Sequence, residues 1–315
     1  MQSISDAKQQ YEQICAAYKA AQMRKRDQIL AQLPQIVTLQ NEINQLWVLR
    51  IGEKISEAEC ERSISEKRDQ IALTLKENHY LPSDLELSPM CPLCKDKGYH
   101  DGVMCNCLKQ TVIDLCYAQS NIRAVLQSEN FDTFDDGLFS EKKIDGLSPR
   151  AQIRGIRNEC TAYLSNFDSN TQHLLFMGGV GTGKTFVSHC IAKELLDRGK
   201  NVVYFTSYDL IEKFTDISLG KADRQLSELI WDSDLIIVDD LGSERMTDFA
   251  QNVLFHLLNE RLVRNKPMLI STNLSVGELK ETYNNRIFSR IIGNFKGISF
   301  VGDDIRLRKR LGKTQ

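Results

Sequence analysis

The sequence predicts an α/β fold in which helices flank a parallel sheet, preceded by a helical N-terminal segment and a small cysteine-rich module. Three observations predict it. A glycine-rich loop (Gly178–Thr185) lies between an apolar, strand-like run and a helical stretch. Strand-like and helix-like segments then alternate along the rest of the chain, as they do around parallel sheets. Before them come a polar helical stretch, residues 3–80, and two close cysteine pairs.

The composition is that of an ordinary globular chain. Its 315 residues are 42% hydrophobic and 26% charged, which is enough chain for about two domains with buried cores. The net charge of -2 supplies no global attraction to nucleic acid or to an anionic membrane, so such binding needs a local patch. The N-terminus lacks the pattern of a signal peptide, and no apolar stretch is long enough to span a bilayer. We therefore expect a cytoplasmic protein without membrane contact.

The first 80 residues carry apolar side chains at helical spacing among Gln, Glu and Lys. We expect two or three long amphipathic helices, interrupted near Pro34 and Gly52. A self-contained bundle and a docking surface for a partner protein fit this pattern equally well. The apolar stripes consist of Ile4, Tyr11, Ile14 and Tyr18, of Leu39, Ile43 and Leu46, and of Ile64, Ile71 and Leu75.

Four of the nine cysteines are clustered, as Cys91-x2-Cys94 and, after ten residues, Cys105-x-Cys107. In a cytoplasmic protein, clustered cysteines favour metal binding over disulfides. Two close pairs across a polar, turn-forming loop can place four thiolates tetrahedrally around Zn²⁺. His100 is an alternative to one of the cysteines, and unligated thiols are the other interpretation. Because the protein fills all four positions, the zinc would stabilise the fold and would not act in catalysis.

The glycine-rich segment Gly178-x4-Gly183-Lys184-Thr185 fits the phosphate-binding loop pattern residue for residue. Its glycines let consecutive backbone N–H groups surround phosphate oxygens, at a helix N-terminus that favours an anion. Lys184 would reach the β- and γ-phosphates, and the Thr185 hydroxyl would ligate Mg²⁺. A turn without a ligand is the alternative, but the preceding strand and the following helix favour binding of a nucleoside triphosphate. The candidate binding residues are Gly178, Gly179, Val180, Gly181, Thr182, Gly183, Lys184, Thr185 and Phe186.

The segments before the loop include a predicted helix over residues 108–127 and an aspartate-rich linker over residues 130–136. Two aromatic residues of the linker, Phe131 and Phe134, either pack beside the base of the nucleotide or simply anchor the linker. A further helix, over residues 148–167, is predicted to lead into the strand of the phosphate loop.

Beyond the loop, strands and helices are expected to alternate regularly. Gly199 is expected to end a helix, and residues 201–206 to form a strand, with Ser207 capping the next helix. Helical pieces are predicted over residues 208–214 and 222–231.

An apolar strand, residues 235–238, runs into two carboxylates, Asp239 and Asp240. In an open α/β sheet, such a strand brings an acid to the ligand-binding crevice at the carboxyl edge of the sheet. We expect Asp239 to hold Mg²⁺ through water and Asp240 to orient or deprotonate the attacking water. The run is weak evidence alone, and strong evidence at this distance after a phosphate loop.

The following elements bring an amide to the same edge. A helix capped by Thr247 is predicted to end near Arg264, and a strand over residues 268–272 delivers Asn273. The Asn273 amide either hydrogen-bonds the attacking water or the γ-phosphate, or forms a turn. Ser275 and Glu278 then form a predicted capping box.

Two arginines, Arg286 and Arg290, lie four residues apart and so on one face of a short predicted helix. They are either solvated surface residues or a phosphate finger that reaches into a neighbouring subunit. The tail from Arg306 to Arg310 is basic. It either contacts nucleic-acid phosphates or is an exposed end.

In combination, these motifs resemble those of the AAA+ ATPases of the bacterial DnaC/DnaI helicase-loader group. The resemblance to the related IstB-type transposition ATPases is nearly as strong. The resemblance covers roughly residues 130–310 and rests on the phosphate loop, Asp239-Asp240-Leu-Gly-Ser-Glu244, Ser271-Thr-Asn273 and the arginine pair. It implies Walker A roles for Lys184 and Thr185, Walker B roles for Asp239 and Asp240, sensor 1 for Asn273, an arginine finger for Arg290 with Arg286 beside it, and sensor 2 for Arg306.

The cysteine cluster behind a helical segment resembles the DnaI-type loaders more than IstB. The resemblance implies an N-terminal domain that grips a DnaB-type replicative helicase. It also implies an ATPase domain that binds single-stranded DNA and assembles with its own copies on ATP binding. Two departures matter. Asp240 stands where many AAA+ proteins have Glu, which implies slow hydrolysis, and only about forty residues follow Asn273, too few for a full helical lid.

The sequence therefore predicts a P-loop AAA+ parallel sheet flanked by helices, without a full helical lid. Three domains are expected: residues 1–85 for helicase contact, 86–129 for the zinc-binding module and a helix, and 130–315 for the ATPase. The implied function is ATP-dependent loading of a replicative helicase, with ATP, Mg²⁺ and Zn²⁺ as ligands. The alternatives are an IstB-like ATPase that regulates a transposase, and an adaptor that binds ATP without hydrolysing it.

Overall fold

A computed structural model describes residues 4–116, 122–144, 146–169, 171–221 and 225–307. The chain divides into two compact units, one formed by Lys8–Cys105 and the other by Met1–Ala7 with Asn106–Gln315. The boundaries expected at residues 85/86 and 129/130 stay predictions about domains. No helix among the described residues is both long enough and apolar enough to cross a membrane.

The N-terminal part of the chain forms three helices, as its periodicity predicts. Pro34 occupies the first turn of the second helix, where its missing N–H is not needed, and Gly52 caps the end of that helix. A small core of Ile29, Leu33, Ile36 and Leu75 lies between the helices. The elements are α1 (Ile4–Gln32), α2 (Pro34–Ile51) and α3 (Glu57–Glu77), followed by a short hairpin of β1 (Tyr99–His100) and β2 (Val103–Met104).

The second unit contains a five-stranded parallel sheet with the strand order β4-β5-β6-β3-β7. The strands β4, β5 and β6 lie on one side of β3, and β7 lies on the other side. The order in which the chain adds strands to the sheet therefore reverses beside β3. This is the point where open α/β sheets bind ligands beyond the carboxyl ends of their strands. The strands are β3 (His173–Gly178), β4 (Val202–Thr206), β5 (Leu235–Leu241), β6 (Met268–Thr272) and β7 (Phe295–Phe300).

Helices cover both faces of this sheet, so the central strands β5 and β6 are almost wholly buried and read as continuous apolar runs. The sequence therefore showed these strands as unbroken hydrophobic segments. The helices are α4 (Asn106–Cys116), α5 (Ile122–Ser128), α6 (Pro149–Ser165), α7 (Lys184–Asp197), α8 (Ser207–Ser218), α9 (Gln225–Asp232), α10 (Asp248–Val263), α11 (Val276–Thr282) and α12 (Asn285–Asn294).

Several predicted helix ends are confirmed, and one is wrong. Thr247 caps α10, and the capping box of Ser275 and Glu278 opens α11. Thr206, not Ser207, caps α8: its hydroxyl accepts a hydrogen bond from the Asp209 N–H. The Ser207 hydroxyl instead donates to the Asp240 carbonyl. The prediction was wrong because Ser207 is buried beneath the acidic end of β5, where its hydroxyl finds another hydrogen-bond acceptor.

Two other predicted helices lie partly outside the described residues. The helix predicted over residues 108–127 is seen as α4 and α5, and residues 117–121 between them lie outside the described part. The predicted piece over residues 222–231 is seen from Gln225 onward as α9. After Asn273 the described chain forms only α11, α12, β7 and a helical stretch at residues 305–307, so the described part contains no full helical lid up to residue 307.

A buried arginine joins the N-terminal ends of β5 and β6. The Arg261 side chain is fully buried, and its guanidinium donates to the carbonyls of Trp231, Ser233 and Pro267 at 3.0, 2.7 and 2.6 Å. Burial lowers the pKa of Arg261 to about 9, and the nearby Asp234 carboxylate acts in the opposite direction. Because the opposite ends of these strands carry Asp239 and Asn273, Arg261 helps fix the strands that form the site.

We predict that Arg261→Met lowers the free energy of unfolding by on the order of 3 kcal/mol, because it leaves several buried carbonyl groups without a donor. Urea unfolding followed by circular dichroism measures this change. The control is Arg264→Met, three residues further along, at the C-terminal cap of α10. The Arg264 ion pairs with Asp232 and Glu260 are solvent-accessible, so its loss is expected to cost below about 1 kcal/mol. Equal effects of the two substitutions would contradict the assigned role.

Candidate functional site

The phosphate-loop residues follow β3 directly. Gly178 ends the strand with φ +151°, and a Cβ at this position would lie 2.2 Å from the Phe300 carbonyl oxygen of β7. Gly181 has φ +73°, and a Cβ there would meet Asp304. The loop is thus a backbone cradle that only glycine allows, and the helix α7 begins at its end with Lys184. Such a cradle fits a polyphosphate.

Lys184 is the buried cation of the site. Its Nζ donates to the carbonyls of Gly178 and Gly179 and to the Asn273 Oδ1, each at 2.7 Å. Burial lowers the pKa of Lys184, while Asp239 and Asp240 raise it and Arg306 lowers it further. The ammonium group therefore lies where phosphate oxygens could replace its carbonyl partners.

Asp239 is buried beside Thr185, as the predicted metal-binding pair requires. The Thr185 hydroxyl donates to Asp239 Oδ2 at 2.9 Å, and the Ser271 hydroxyl donates to Asp239 Oδ1. Hard oxygen donors of this kind are the ligands that Mg²⁺ prefers. The donor set of Thr185 and Asp239 therefore fits Mg²⁺ held partly through water.

Asp240 adopts a left-handed backbone conformation, with φ +58°. The pairing of β5 with β6 shifts register between Val238 and Leu241, and this bulge redirects the Asp240 side chain. The Asp240 N–H donates to Ser271 Oγ at 3.0 Å, and the Asn273 amide donates to Asp240 Oδ1 at 2.6 Å. Asn273 thus connects the Lys184 ammonium group to the second carboxylate, across three adjacent strands.

A cavity of about 610 Å³ opens above the loop. The linker before α6 forms one wall of this cavity, where Phe134 packs against Phe186 with their ring centroids 6.0 Å apart. Phe131, the other aromatic residue singled out in the linker, packs against the hydrophobic core and does not line the cavity. Arg306 lines it from the other end of the chain. Phe134 packs against the same core while lining the cavity, so both aromatic residues anchor the linker, and contact of Phe134 with the base of a nucleotide stays a prediction.

Sequence reasoning missed several residues of this cavity. Phe139 and Ile305 both line the cavity close to Gly183, at 3.3 and 3.7 Å from the position that a Cβ on this glycine would occupy. The His189 Nδ1 lies 2.6 Å from Glu129 Oε2, and both side chains line the cavity. The apolar Leu138-Phe139 pair directly after the linker was a local signal for this wall. The His189–Glu129 contact had no such signal, because 60 residues separate its partners.

The four clustered cysteines lie together. Their sulfur atoms are all within 4.8 Å of one another, and the Cys91 and Cys105 sulfurs are 3.8 Å apart. A tetrahedral zinc with Zn–S bonds of about 2.3 Å separates its sulfurs by about 3.8 Å, whereas a disulfide needs about 2.05 Å. The spacing therefore fits a zinc ion, and these four cysteines form no disulfide.

His100 lies outside the cysteine group. Its imidazole Nδ1 is 3.2 Å from the Asp101 carboxylate, and its side chain is half exposed. Among the described residues, the four cysteines are the one group of three or more His, Cys, Asp or Glu side chains that lie close enough together to hold a metal ion. Backbone N–H groups hold the segment around the cysteines. The Cys91 N–H donates to Asp96 Oδ1 at 2.8 Å, and the Gly98 N–H donates directly to the Cys94 sulfur at 3.3 Å. Hydrogen bonds of this kind orient thiolate ligands.

The family model described as IstB-like ATP binding protein matches residues 152–312, more than half of the chain. The chain belongs to the IstB-like ATP-binding protein family. The match begins within α6 and includes the phosphate loop, both acids and Asn273. The protein is thus an IstB-like ATP-binding protein.

The relatives of this IstB-like protein include a replicative helicase loader and an ATP-binding protein of an insertion sequence. The replicative helicase loader DnaC of Escherichia coli is 26% identical over 198 residues, 59% of this chain and 81% of that protein. An insertion-sequence ATP-binding protein of Geobacillus stearothermophilus is 25% identical over 178 residues, 53% of this chain and 69% of that protein. The crystal structure of the DnaC helicase loader matches with a TM-score of 0.47 and 21% identity, over 56% of this chain and 99% of that one.

The two arginines of the IstB-like domain lie on α12, on one face, as expected. Neither belongs to the described residues that line the cavity of their own chain. The Arg290 guanidinium stacks on the Phe255 ring at 4.3 Å and donates to Asn259 Oδ1 at 3.2 Å. The Arg286 guanidinium lies 6.0 Å from the same ring. Their role as a finger stays a prediction.

We predict that Gly181→Ala lowers the free energy of unfolding by on the order of 2 kcal/mol. A Cβ at this left-handed position would lie 2.0 Å from Asp304 Oδ1 and 2.9 Å from the Asp304 Cα, so the backbone of residue 304 must move. Thermal unfolding of the purified chain measures the loss. Gly179→Ala is the control, because its nearest neighbour, the Thr182 methyl group, is 3.8 Å away. A variant at Gly181 as stable as the control would show that this contact is not rigid.

Proposed function

We propose that this chain hydrolyses ATP and loads a ring-shaped replicative helicase onto DNA. The hydrogen-bonded chain from Lys184 through Asn273 to Asp240, beside the buried Thr185–Asp239 pair, supports the ATPase activity. The similarity to the DnaC loader over most of that protein's length supports the replication role.

In the proposed reaction, Lys184 exchanges its loop carbonyls for the β- and γ-phosphate oxygens, and the loop N–H groups hold the remaining phosphate oxygens. Thr185 and Asp239 would hold Mg²⁺, which would neutralise part of the phosphate charge. Asp240 accepts the proton of the attacking water, and Asn273 keeps the Asp240 carboxylate in a fixed orientation. Because Asp has one methylene fewer than Glu, this base reaches less far, which favours slow turnover suited to a switch.

The proposed assembly places Arg290 against the ATP of a neighbouring subunit. Phe255 and Asn259 hold the Arg290 guanidinium at the surface of α10 and α12, so that little side-chain entropy is lost when it meets a phosphate. Arg286, on the same face, adds positive charge. Arg306, which lines the cavity, would contact the phosphates of its own subunit as a sensor.

The remaining partners belong to the same proposal. Cys91, Cys94, Cys105 and Cys107 would hold one structural zinc, which stabilises the module before the ATPase unit. The helical N-terminal part would contact the helicase, and the ATPase unit would bind single-stranded DNA and assemble with its copies on ATP binding.

A second function, regulation of a transposase, is favoured by the family model and by the insertion-sequence relative. The cysteine module before the ATPase unit favours the loader instead. An adaptor that binds ATP without hydrolysis is the third possibility, and the connected Asp240 and Asn273 side chains argue against it.

We predict that Lys184→Ala lowers ATP affinity at least tenfold, while Lys193→Ala leaves it unchanged, because this partly exposed lysine on the same helix pairs with Asp197 and does not line the cavity. Arg290→Ala is expected to keep ATP affinity and to lower turnover of the assembled protein about 10³-fold. Mixing the two inactive variants tests the finger directly, because Lys184→Ala subunits supply Arg290 and Arg290→Ala subunits supply an intact pocket. Turnover above the sum of the separate variants supports the finger, and a merely additive result contradicts it.

We predict that the full chain, immobilised with ATP and Mg²⁺, retains the replicative helicase of its host and does not retain a transposase. Washing with nucleotide-free buffer checks whether capture depends on ATP, and the Lys184→Ala protein is the matched control. Retention of the transposase alone would replace the loader with the transposition regulator. Absence of ATP turnover with helicase and single-stranded DNA present would favour the adaptor.

A further inference from the structure

Helix α1 reaches the cysteine cluster through one buried side chain. Tyr11 is 1% exposed, and its hydroxyl lies 3.6 Å from the Cys94 sulfur, although 83 residues separate the two. Cys15, one turn further along α1, places a second buried sulfur beside the same hydroxyl. The zinc-ligand geometry described above does not require a contact from α1.

The direction of this hydrogen bond follows from the chemistry of a metal ligand. A cysteine bound to zinc is a thiolate without a proton, so the Tyr11 O–H must donate to it. The Gly98 N–H donates to the same sulfur at 3.3 Å. Two donors would then share the negative charge of Cys94, and donors of this kind strengthen metal binding.

Three further contacts between α1 and residues 84–99 lie at the surface. Lys8 stacks over the Tyr99 ring at 5.4 Å, Gln22 donates to Ser88 at 3.3 Å, and Lys25 pairs with Asp84 at 2.7 Å. Exposed contacts of these kinds contribute little each. The buried Tyr11–Cys94 contact is therefore the strongest connection of this set.

We propose that Tyr11 is an outer-sphere partner of the metal, whose hydrogen bond to Cys94 makes the position of the first half of α1 depend on zinc occupancy. The inference rests on the zinc site proposed above. It goes beyond that site because it assigns a metal-dependent order to a helix that carries none of the ligands. Loss of zinc would remove the ion that fixes the positions of the four sulfurs, so Tyr11 would no longer face a sulfur held in place.

The test compares Tyr11→Phe with Tyr18→Phe, an exposed tyrosine on the same helix, in the full-length protein. Zinc content is measured first, and zinc release to a coloured chelator and hydrogen exchange of the backbone are measured next. We expect Tyr11→Phe to bind one zinc per chain and to release it about tenfold faster, with faster exchange in residues 8–18. The Tyr18→Phe protein is expected to match the wild type in both measurements.

Removing zinc from the wild-type protein gives a second measurement that does not depend on a substitution. Residues 8–18 are expected to lose protection, while residues 29–36, which include buried core side chains, keep it. Unchanged release from Tyr11→Phe, or residues 8–18 still protected without zinc, overturns the coupling and leaves the zinc site standing. A wild-type protein purified without zinc overturns both.

Discussion

The hydrogen-bonded chain from Lys184 through Asn273 to Asp240 is the interaction on which the rest of the ATP-binding unit depends. Its three members come from α7, the end of β6 and the end of β5. They can meet only because β3, β6 and β5 are neighbours in a parallel sheet, so that their carboxyl ends share one edge. The sheet order, the buried Arg261 at the opposite ends of the strands and the bulge at Asp240 all serve to keep these three groups within hydrogen-bond distance.

Most of the fold could be predicted from the sequence, because the patterns that indicate its elements are local. The phosphate loop is a fixed spacing of glycines between a strand and a helix. Met268–Thr272 is a short apolar run, and Thr247 is a cap with its partner three residues away. Such features depend on the conformational preferences of a few consecutive residues, which the sequence displays directly. The position of Asp239 followed from the same reasoning, since a strand of a parallel sheet can end at only one edge.

The parts that escaped prediction depend on distant partners. Ser207 has the right chemistry for a cap, but burial under β5 gives its hydroxyl another acceptor and leaves the cap to Thr206. The left-handed backbone of Asp240 comes from pairing with β6, and the His189–Glu129 contact comes from packing of the segment after α5 on α7. Likewise, Tyr11 was visible only as part of an apolar stripe, whereas its hydroxyl is defined by a sulfur far along the chain.

One hydroxyl group serves both acids of the site. Ser271 donates to the Asp239 carboxylate and accepts from the Asp240 N–H, while lying on β6, a strand that carries neither acid. The separation between Asp239, the proposed metal-holding group, and Asp240, the proposed water-activating group, is therefore set by the neighbouring strand. A substitution at Ser271 would thus alter the relative placement of the two carboxylates while both acids stay unchanged in the sequence.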